Sequence, residues 1–181
     1  MKKVLYILGE LNDADLEWLI REGTKKKVVP QDVLIQEGQP IDALYIVVEG
    51  MFSIQLKAAG NKEVARVGAG EVLGEMSYVD SRPPSATVVA VEDSMVLAIS
   101  RDKLSTKLKE DMGFSAHFYR ALSIFLADRL RATTSQFGYG KVDESADDNA
   151  LAEDEMDLDE LDSASMGGAR FDQIIKRLKG F

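Results

Sequence analysis

GEVLGEMSYVDSRPPSATVVA, residues 70–90, is a stretch in which glycines, acidic residues and prolines interrupt two β-branched runs. After Gly74 and Glu75 the sequence fits one or two turns of helix, which two prolines end. Ser85 then leads into a run of threonine and valine that is typical of a strand. A glycine-punctuated loop before a helix start is typical of a cradle for a small anion.

The regions around this stretch have the sequence pattern of strands. Between residues 27 and 100, short β-branched runs alternate with Gly, Pro, Asn or Asp at a spacing of about ten residues. This pattern predicts an all-β sandwich, jelly roll or barrel. Glu49–Gly50 and the Ala-Gly-Asn sequence at 59–61 are the strongest candidates for hairpin turns.

Helical patterns flank the strands on both sides. Residues 12–22 predict a short helix, with Asn12 as its N-cap and Gly23 at its end. Leucines at 104 and 108 predict another short helix. Residues 115–136 predict a long amphipathic helix, because apolar residues recur there at three- and four-residue steps.

The charge of the chain is concentrated near its C-terminus. The formal net charge is −9. Residues 141–168 contain eleven acidic residues and one lysine, and residues 169–181 contain four basic residues and one acidic residue. The rest of the chain therefore carries a net charge of −2. A nearly neutral body without a basic face argues against binding to nucleic acid.

Few side chains suited to catalysis or metal binding are present. The 181 residues include no cysteine and a single histidine, His117, so neither a zinc site nor a catalytic triad is expected. We therefore expect a protein that is not an enzyme and that holds no metal. No apolar run reaches about eighteen residues, and the N-terminal residues lack the pattern of a signal peptide. Both features favour a cytoplasmic location.

The residues after the long helix divide into two parts. Residues 137–168 are acidic and rich in small side chains, which predicts a flexible linker. Residues 169–181 predict an amphipathic tail helix with basic side chains beside its apolar face. The apolar face is the predicted partner-binding surface and consists of Phe171, Ile174, Ile175, Leu178 and Phe181.

Three alternatives stay open for the tail helix. It docks in a groove of a partner protein, it lies on an anionic membrane surface, or it packs back on its own domain. A helix of about twelve residues is marginal in isolation, so each alternative supplies contacts that the helix needs.

Residues 4–136 resemble the cyclic nucleotide-binding domain family, which includes the catabolite activator protein and the regulatory subunits of protein kinase A. The resemblance rests on the opening stretch, on DVLIQEGQPIDALYIVVEG (residues 32–50) and on the order of the predicted elements. It implies a mainly β fold with flanking helices. The expected architecture is an antiparallel, jelly-roll-like β-roll with a short N-terminal helix, a helical phosphate-binding cassette and a long C-terminal helix. This domain is expected to cover residues 1–136.

The resemblance also implies a ligand site for cAMP or cGMP, with no other cofactor. Glu75 matches the family's glutamate that accepts a hydrogen bond from the ribose 2′-hydroxyl. Gly74 and Met76 flank it at the start of the cassette helix. Ser85 and Ala86 match the positions whose hydroxyl and amide approach the phosphate.

Contacts with the base are implied at three threonines. Thr87 matches a residue near the base, and Thr133 and Thr134 match the base contacts of the activator-protein branch. In that branch the long helix also forms a dimer, so the resemblance implies a homodimer through residues 115–136. Because only 45 residues follow, most of them acidic, we expect no DNA-binding module of that branch.

One position departs from the family pattern. Pro84 occupies the place of the arginine that normally holds the phosphate, and such a charge-assisted hydrogen bond contributes about 1.5–3 kcal/mol. Its loss is expected to weaken binding by about one to two decades. Arg82, two residues earlier in the chain, is the candidate substitute, although Pro83 and Pro84 stiffen the loop.

The sequence thus predicts a regulatory protein that binds a cyclic nucleotide in a β-roll pocket. It is expected to signal to a partner through its long helix and tail. The alternative is a ligand-free adaptor with a degenerate pocket that recruits its partner constitutively through residues 169–181.

Overall fold

Six helices and eight strands are found in the computed structural model, which describes residues 3–138 and 158–180. The helices are α1 (Lys3–Glu10), α2 (Asp13–Glu22), α3 (Met76–Val79), α4 (Arg101–Glu110), α5 (Met112–Gly138) and α6 (Leu158–Lys179). The strands are β1 (Thr24–Val28), β2 (Val33–Ile35), β3 (Ala43–Glu49), β4 (Met51–Leu56), β5 (Lys62–Gly68), β6 (Val72–Leu73), β7 (Thr87–Ala90) and β8 (Ser94–Ser100).

The strands form two antiparallel four-stranded sheets. The first sheet has the order β1-β8-β3-β6 and the second has the order β2-β7-β4-β5. Consecutive strands often lie in different sheets, which is the topology of a roll. The predicted mainly β fold with flanking helices is therefore confirmed.

Strand β3 explains why its sequence, ALYIVVE, is almost continuously apolar. Successive side chains of a strand point to opposite faces. Leu44, Ile46 and Val48 face one core, shared with the helices, whereas Tyr45 and Val47 face a second core between the two sheets. Both faces of β3 are buried, so the strand shows no alternation of apolar and polar residues.

One of the two predicted hairpin turns is wrong. The turn at 59–61 does join a hairpin, because β4 and β5 pair across it. Glu49–Gly50 does not, because β3 and β4 belong to different sheets. Gly50, with a φ of +94°, turns the chain from one layer to the other. Glycine there indicated a sharp change of direction, and the sequence did not show which strands pair.

The predicted helices agree closely with the structure. Asn12 caps α2 through a capping box with Asp15, as the N-cap prediction requires. The long helix is longer than predicted, since α5 runs from Met112 to Gly138 instead of 115–136. His117 Nδ1 on α5 lies 2.8 Å from Asp15 Oδ2, which ties α5 to α2.

The two terminal helices, α1 and α6, pack against each other. No element was predicted at α1, whose buried side chains also contact α5. Helix α6 begins at Leu158, eleven residues before the predicted tail helix. Residues 139–157, which make up most of the predicted linker 137–168, lie outside the described residues.

Candidate ligand-binding site

A cavity of about 310 Å³ opens between α3 and the second sheet. This volume lies at the lower end of the range typical of small-molecule sites. The segment at residues 70–90 forms one side of it, and strands β2, β4 and β5 contribute most of the other. Its lining residues are Ile35, Ile54, Val64, Ala65, Val67, Val72, Leu73, Gly74, Glu75, Met76, Ser77, Pro84, Ser85, Ala86 and Val88.

Gly74 sets the geometry of the wall that carries Glu75. Its φ of +86° lies in the left-handed region that favours glycine. A Cβ there would collide with Ile41 Cδ1 and lie 3.3 Å from the carbonyl oxygen of Ala43. A glycine is therefore required directly after β6, at the turn that precedes Glu75.

Glu75 is the acidic group of the site. Its side chain lines the cavity and only 5% of the residue is exposed to solvent. The residue precedes α3 with helical dihedral angles and makes no side-chain capping hydrogen bond to that helix. Because α3 is a single turn, within the one or two turns that the sequence predicts, it adds little dipole to the site.

Pro84, Ser85 and Ala86 also line the cavity. The carbonyl oxygen of Pro84 accepts a hydrogen bond of 2.9 Å from the amide of Gly38. This bond joins the loop to the β2–β3 connection. Pro84 itself lines the cavity at the position where the family pattern places an arginine.

Arg82 does not reach the cavity in this structure, although the sequence suggested it as the substitute phosphate ligand. The Ser77 hydroxyl donates to the carbonyl oxygen of Arg82 at 2.7 Å, and the Arg82 amide donates to Asp80 Oδ1 at 3.1 Å. The guanidinium lies 3.7 Å from Asp80 Oδ2 and its side chain is 84% exposed. The turn after α3 thus directs Arg82 to solvent.

Two of the three predicted base contacts, Thr87 and Thr134, are not among the described lining residues. Thr87 Oγ1 accepts hydrogen bonds of 3.1 Å from the Glu37 amide and from Gln36 Nε2, so this hydroxyl fixes the β2–β3 connection instead. Thr134 Oγ1 donates to the Leu130 carbonyl within α5. The side chain of Thr133 lies outside the described residues.

The electrostatics of the cavity are unusual for an anion site. Among the lining residues that the structure describes, Glu75 is the only charged one, and none is a lysine, arginine or histidine. Most of the described lining is apolar, and part of it comes from β2, β4 and β5, where the sequence had indicated no site residues. A single sequence carries no local signal for which strand side chains meet a cavity.

Tyr78 connects the site to the long helix. Its ring packs edge-to-face against Phe118 of α5, with centroids 6.3 Å apart, and the Arg101 guanidinium lies 5.0 Å from its centroid. Burial raises the pKa of Tyr78 to about 12, so the phenol stays neutral at physiological pH. Its hydroxyl has no hydrogen-bond partner among the described residues.

The tail residues predicted to bind a partner pack on their own domain. Phe171 and Ile174 are buried in the core shared with α1, and Ile175 and Leu178 pack against it. Phe181 lies outside the described residues. The structure thus corresponds to the third alternative for the tail.

Polar contacts secure the same helix. Arg170 donates to the carbonyl oxygens of Leu8 and Gly9, near the C-terminal end of α1, at 2.8 and 3.1 Å. Arg177 pairs with Glu17, and Lys25 donates to the Leu178 carbonyl at 2.7 Å. These contacts make α6 a structural part of the domain.

The predicted dimer helix has exposed apolar side chains. Tyr119 and Leu130 of α5 are exposed, as is Met112 at its start. The homodimer through residues 115–136 stays a prediction.

The described residues contain neither a cluster of metal ligands nor a helix that could cross a membrane. The described residues contain no cluster of three or more histidine, aspartate and glutamate side chains that could hold a metal ion. Within residues 3–138 and 158–180, no helix combines the length and the apolar character that a membrane crossing requires.

Comparison with known proteins identifies the domain. The sequence model of the cyclic nucleotide-binding domain matches residues 25–111. The cyclic AMP receptor protein of Thermus thermophilus is 36% identical to this chain over 107 residues, which are 54% of this chain and 48% of that protein. The chain spans 8% of the length of the cGMP-dependent protein kinase of Eimeria tenella and 48% of that of the Thermus receptor protein. It spans 21% of the length of the potassium channel KAT3 of Oryza sativa.

Solved structures agree with the sequence comparison. A cyclic nucleotide-binding domain from Methylobacillus flagellatus has a TM-score of 0.66 at 23% identity, and the match covers 80% of this chain and 85% of that one. The regulatory domain of Toxoplasma gondii PKA, solved with cAMP, has a TM-score of 0.53 at 28% identity, covering 58% and 42%. Residues 25–111 of this chain are thus a domain of the cyclic nucleotide-binding domain family.

Proposed function

We propose that this chain is a non-enzymatic regulatory module that binds the base and ribose of a cyclic nucleotide in the cavity beside α3. The observation that carries the proposal is the cavity itself. Glu75, Ser85 and Ala86 are among the residues that line it. A buried carboxylate is a hydrogen-bond acceptor suited to a ribose hydroxyl.

The proposed output runs through the packed core. A ligand against Glu75 and Met76 contacts the turn that carries Tyr78, and Tyr78 packs on Phe118 of α5. The same core cluster includes side chains of α1 and, on α6, Phe171 and Ile174. Packed side chains therefore connect α3 with the tail helix, and a small shift of α3 is transmitted through them to α6. A partner that binds the apolar face of α6 has to displace that helix from α1.

A bulky side chain in the cavity is expected to abolish this function selectively. Ala86→Phe adds an aromatic ring inside the cavity and should weaken binding of cAMP and cGMP by about one to two decades, because overfilling a packed site costs about 1–3 kcal/mol. The matched control is Ala58→Phe, which adds the same ring on the exposed turn Lys57–Ala59. Calorimetric titration of the three proteins measures the difference. Equal affinities in all three would place the ligand elsewhere and refute the proposed site.

A second candidate function is favoured by Pro84 and by the lack of a basic side chain among the described lining residues. In that case the β-roll is a ligand-free adaptor and the cavity has no small-molecule partner. The same titration separates the two functions, since the adaptor gives no binding heat with the wild-type protein at millimolar ligand.

A further inference from the structure

Strand β1 carries three consecutive exposed lysines, Lys25, Lys26 and Lys27, at the edge of the first sheet. Strand β8 pairs with β1 along one side, and β1 is the end strand of this sheet in the part of the chain that the structure describes. An edge strand presents backbone N–H and C=O groups to an added strand. The edge of β1 therefore has the geometry to accept an extended peptide.

The register of β1 determines where the three lysines point, because directly paired residues share a face of the sheet. Lys25 and Lys27 lie opposite residues of β8 that face the core shared with the helices. Lys26 lies opposite Val96, which faces the core between the two sheets, and its Nζ is 5.8 Å from the centroid of the Tyr45 ring. Positive charge thus lies on both faces of the same edge.

Helix α6 adds basic side chains on the side of Lys25. Lys25 Nζ donates to the Leu178 carbonyl oxygen at 2.7 Å, which places the C-terminal end of α6 beside β1. Lys176 and Lys179 lie one turn apart near that end, and Lys179 also pairs with Glu49 at 3.0 Å. Because 153 positions separate Lys25 from Leu178, the sequence alone did not show that these basic segments meet.

A groove of about 470 Å³ lies against the same edge. Its lining includes two basic, two acidic and two apolar side chains, namely Lys25, Lys27, Glu49, Asp93, Val29 and Met95. Val29 is 55% exposed, so an apolar contact is available to a side chain that enters the groove. A nucleic acid carries a phosphate at every nucleotide and would meet the two carboxylates. A peptide with separate acidic and apolar side chains suits this mixed lining better.

The lysines also decide which strand fits the edge. If β1 of a second copy were added, lysines would lie opposite lysines, and like charges directly opposite each other destabilise a strand pair. An acidic strand would place opposite charges there instead. A membrane is a poorer partner, because Phe171 and Ile174 on the apolar face of α6 are buried in the core and are not available for insertion.

We infer that the edge of β1 is a docking surface for an acidic, extended segment of a partner protein, which adds to the first sheet as a strand beside β1. Carboxylates at alternate positions of that segment face Lys25 and Lys27. This surface is separate from the cavity beside α3, so the inference does not depend on whether the cavity binds a nucleotide.

Two fluorescent peptides test the inference against the full chain. The first is a heptapeptide in which glutamate and valine alternate. The second has the same charge but two adjacent prolines at its centre, which remove a backbone donor from each side of a strand. Fluorescence anisotropy should show saturable binding of the first peptide that weakens with salt, and binding of the second that is at least about tenfold weaker. Absence of saturable binding, or equal binding of both peptides, would overturn the inference.

A pair of double variants connects the binding to β1. Lys26→Gln with Lys27→Gln should weaken binding of the first peptide by about 2- to 30-fold, the range expected for two exposed ion pairs. The matched control is Lys62→Gln with Lys109→Gln, which removes the same charge from exposed positions on β5 and α4 and should leave the affinity unchanged. Equal losses in both variants would contradict the assigned surface.

Vesicles of phosphatidylserine test the membrane as the alternative partner. We expect the full chain to bind the first peptide and not to sediment with the vesicles. Binding to the vesicles that Lys26→Gln with Lys27→Gln abolishes, without binding to the peptide, would assign the edge of β1 to a membrane and overturn the inference. The comparison of the two peptides on the wild-type chain stands even if a variant does not fold.

Discussion

Replacing Phe171 with alanine is expected to lower the free energy of unfolding by about 3–5 kcal/mol, the usual cost of removing a buried aromatic ring. Phe171 is 6% exposed and belongs to the core that α6 shares with α1. Whole domains are stable by only about 5–15 kcal/mol, so this is a large fraction of the total. Urea denaturation of the full chain, followed by circular dichroism, measures the change.

The matched control for this variant is Met166→Ala on the same helix. Met166 is 48% exposed, so its truncation should change the stability by less than about 0.5 kcal/mol. The difference between the stability changes of the two variants measures the contribution of the docked face of α6. Equal, small effects at positions 171 and 166 would mean that α6 is not docked in solution. Binding of the tail to a partner protein or to a membrane would then be the remaining alternatives.

Replacing Gly50 with alanine is expected to destabilise the fold by about 2–5 kcal/mol. The change combines strain at a positive φ, about 1–2 kcal/mol, with a steric clash, about 1–3 kcal/mol. The φ of Gly50 is +94°. A Cβ at this position would overlap the Ser94 hydroxyl and lie 2.6 Å from the Ser94 Cα, which belongs to the backbone and cannot rotate away.

Gly38→Ala separates the two contributions. Gly38 also has a positive φ, +76°, but a Cβ there meets no atom within 4 Å. We therefore expect this variant to show the strain alone, about 1–2 kcal/mol. Thermal unfolding of both variants under identical conditions measures the difference between them. If Gly38→Ala is as destabilising as Gly50→Ala, the close approach between Gly50 and Ser94 is not what requires glycine.

The sequence predicted the β-roll because its turns and helix starts depend on local signals. Glycine at 74 and the prolines at 83 and 84 fix backbone turns through their own geometry, whatever packs around them. Asn12 likewise specifies the start of α2 with its own side chain. Such signals survive in a single sequence, and the structure has the corresponding turns and helix in place.

The pairing of strands and the direction of side chains depend on distant contacts. The turn at Gly50 looked like a hairpin because the sequence shows the turn and not the sheet to which each strand belongs. Judged by spacing along the chain, Arg82 is close enough to reach the ligand. Spacing does not show that the Arg82 backbone amide donates to Asp80. Glu75, Ser85 and Ala86 therefore line a cavity, whereas Arg82 points to solvent.

The tail illustrates the same limit on a larger scale. An apolar face with basic neighbours suits a partner groove, a membrane or the chain itself, and amphipathicity alone does not choose between them. In the structure the tail packs on its own domain because α1 provides the surface for it. The sequence had not predicted α1. The Leu8 and Gly9 carbonyls of α1 accept hydrogen bonds from Arg170, and its buried face receives Phe171 and Ile174.

Hydrogen–deuterium exchange of the full chain, with and without saturating adenosine or cAMP, tests the central claim most directly. The claim is that the cavity beside α3 holds the ligand and is coupled through the core to α6. We expect slower exchange in residues 72–90 on ligand binding, together with a change in the exchange of residues 171–179. Ligand binding that leaves residues 72–90 unchanged would contradict the assigned site. Protection of residues 72–90 with no change at 171–179 would contradict the coupling to the tail.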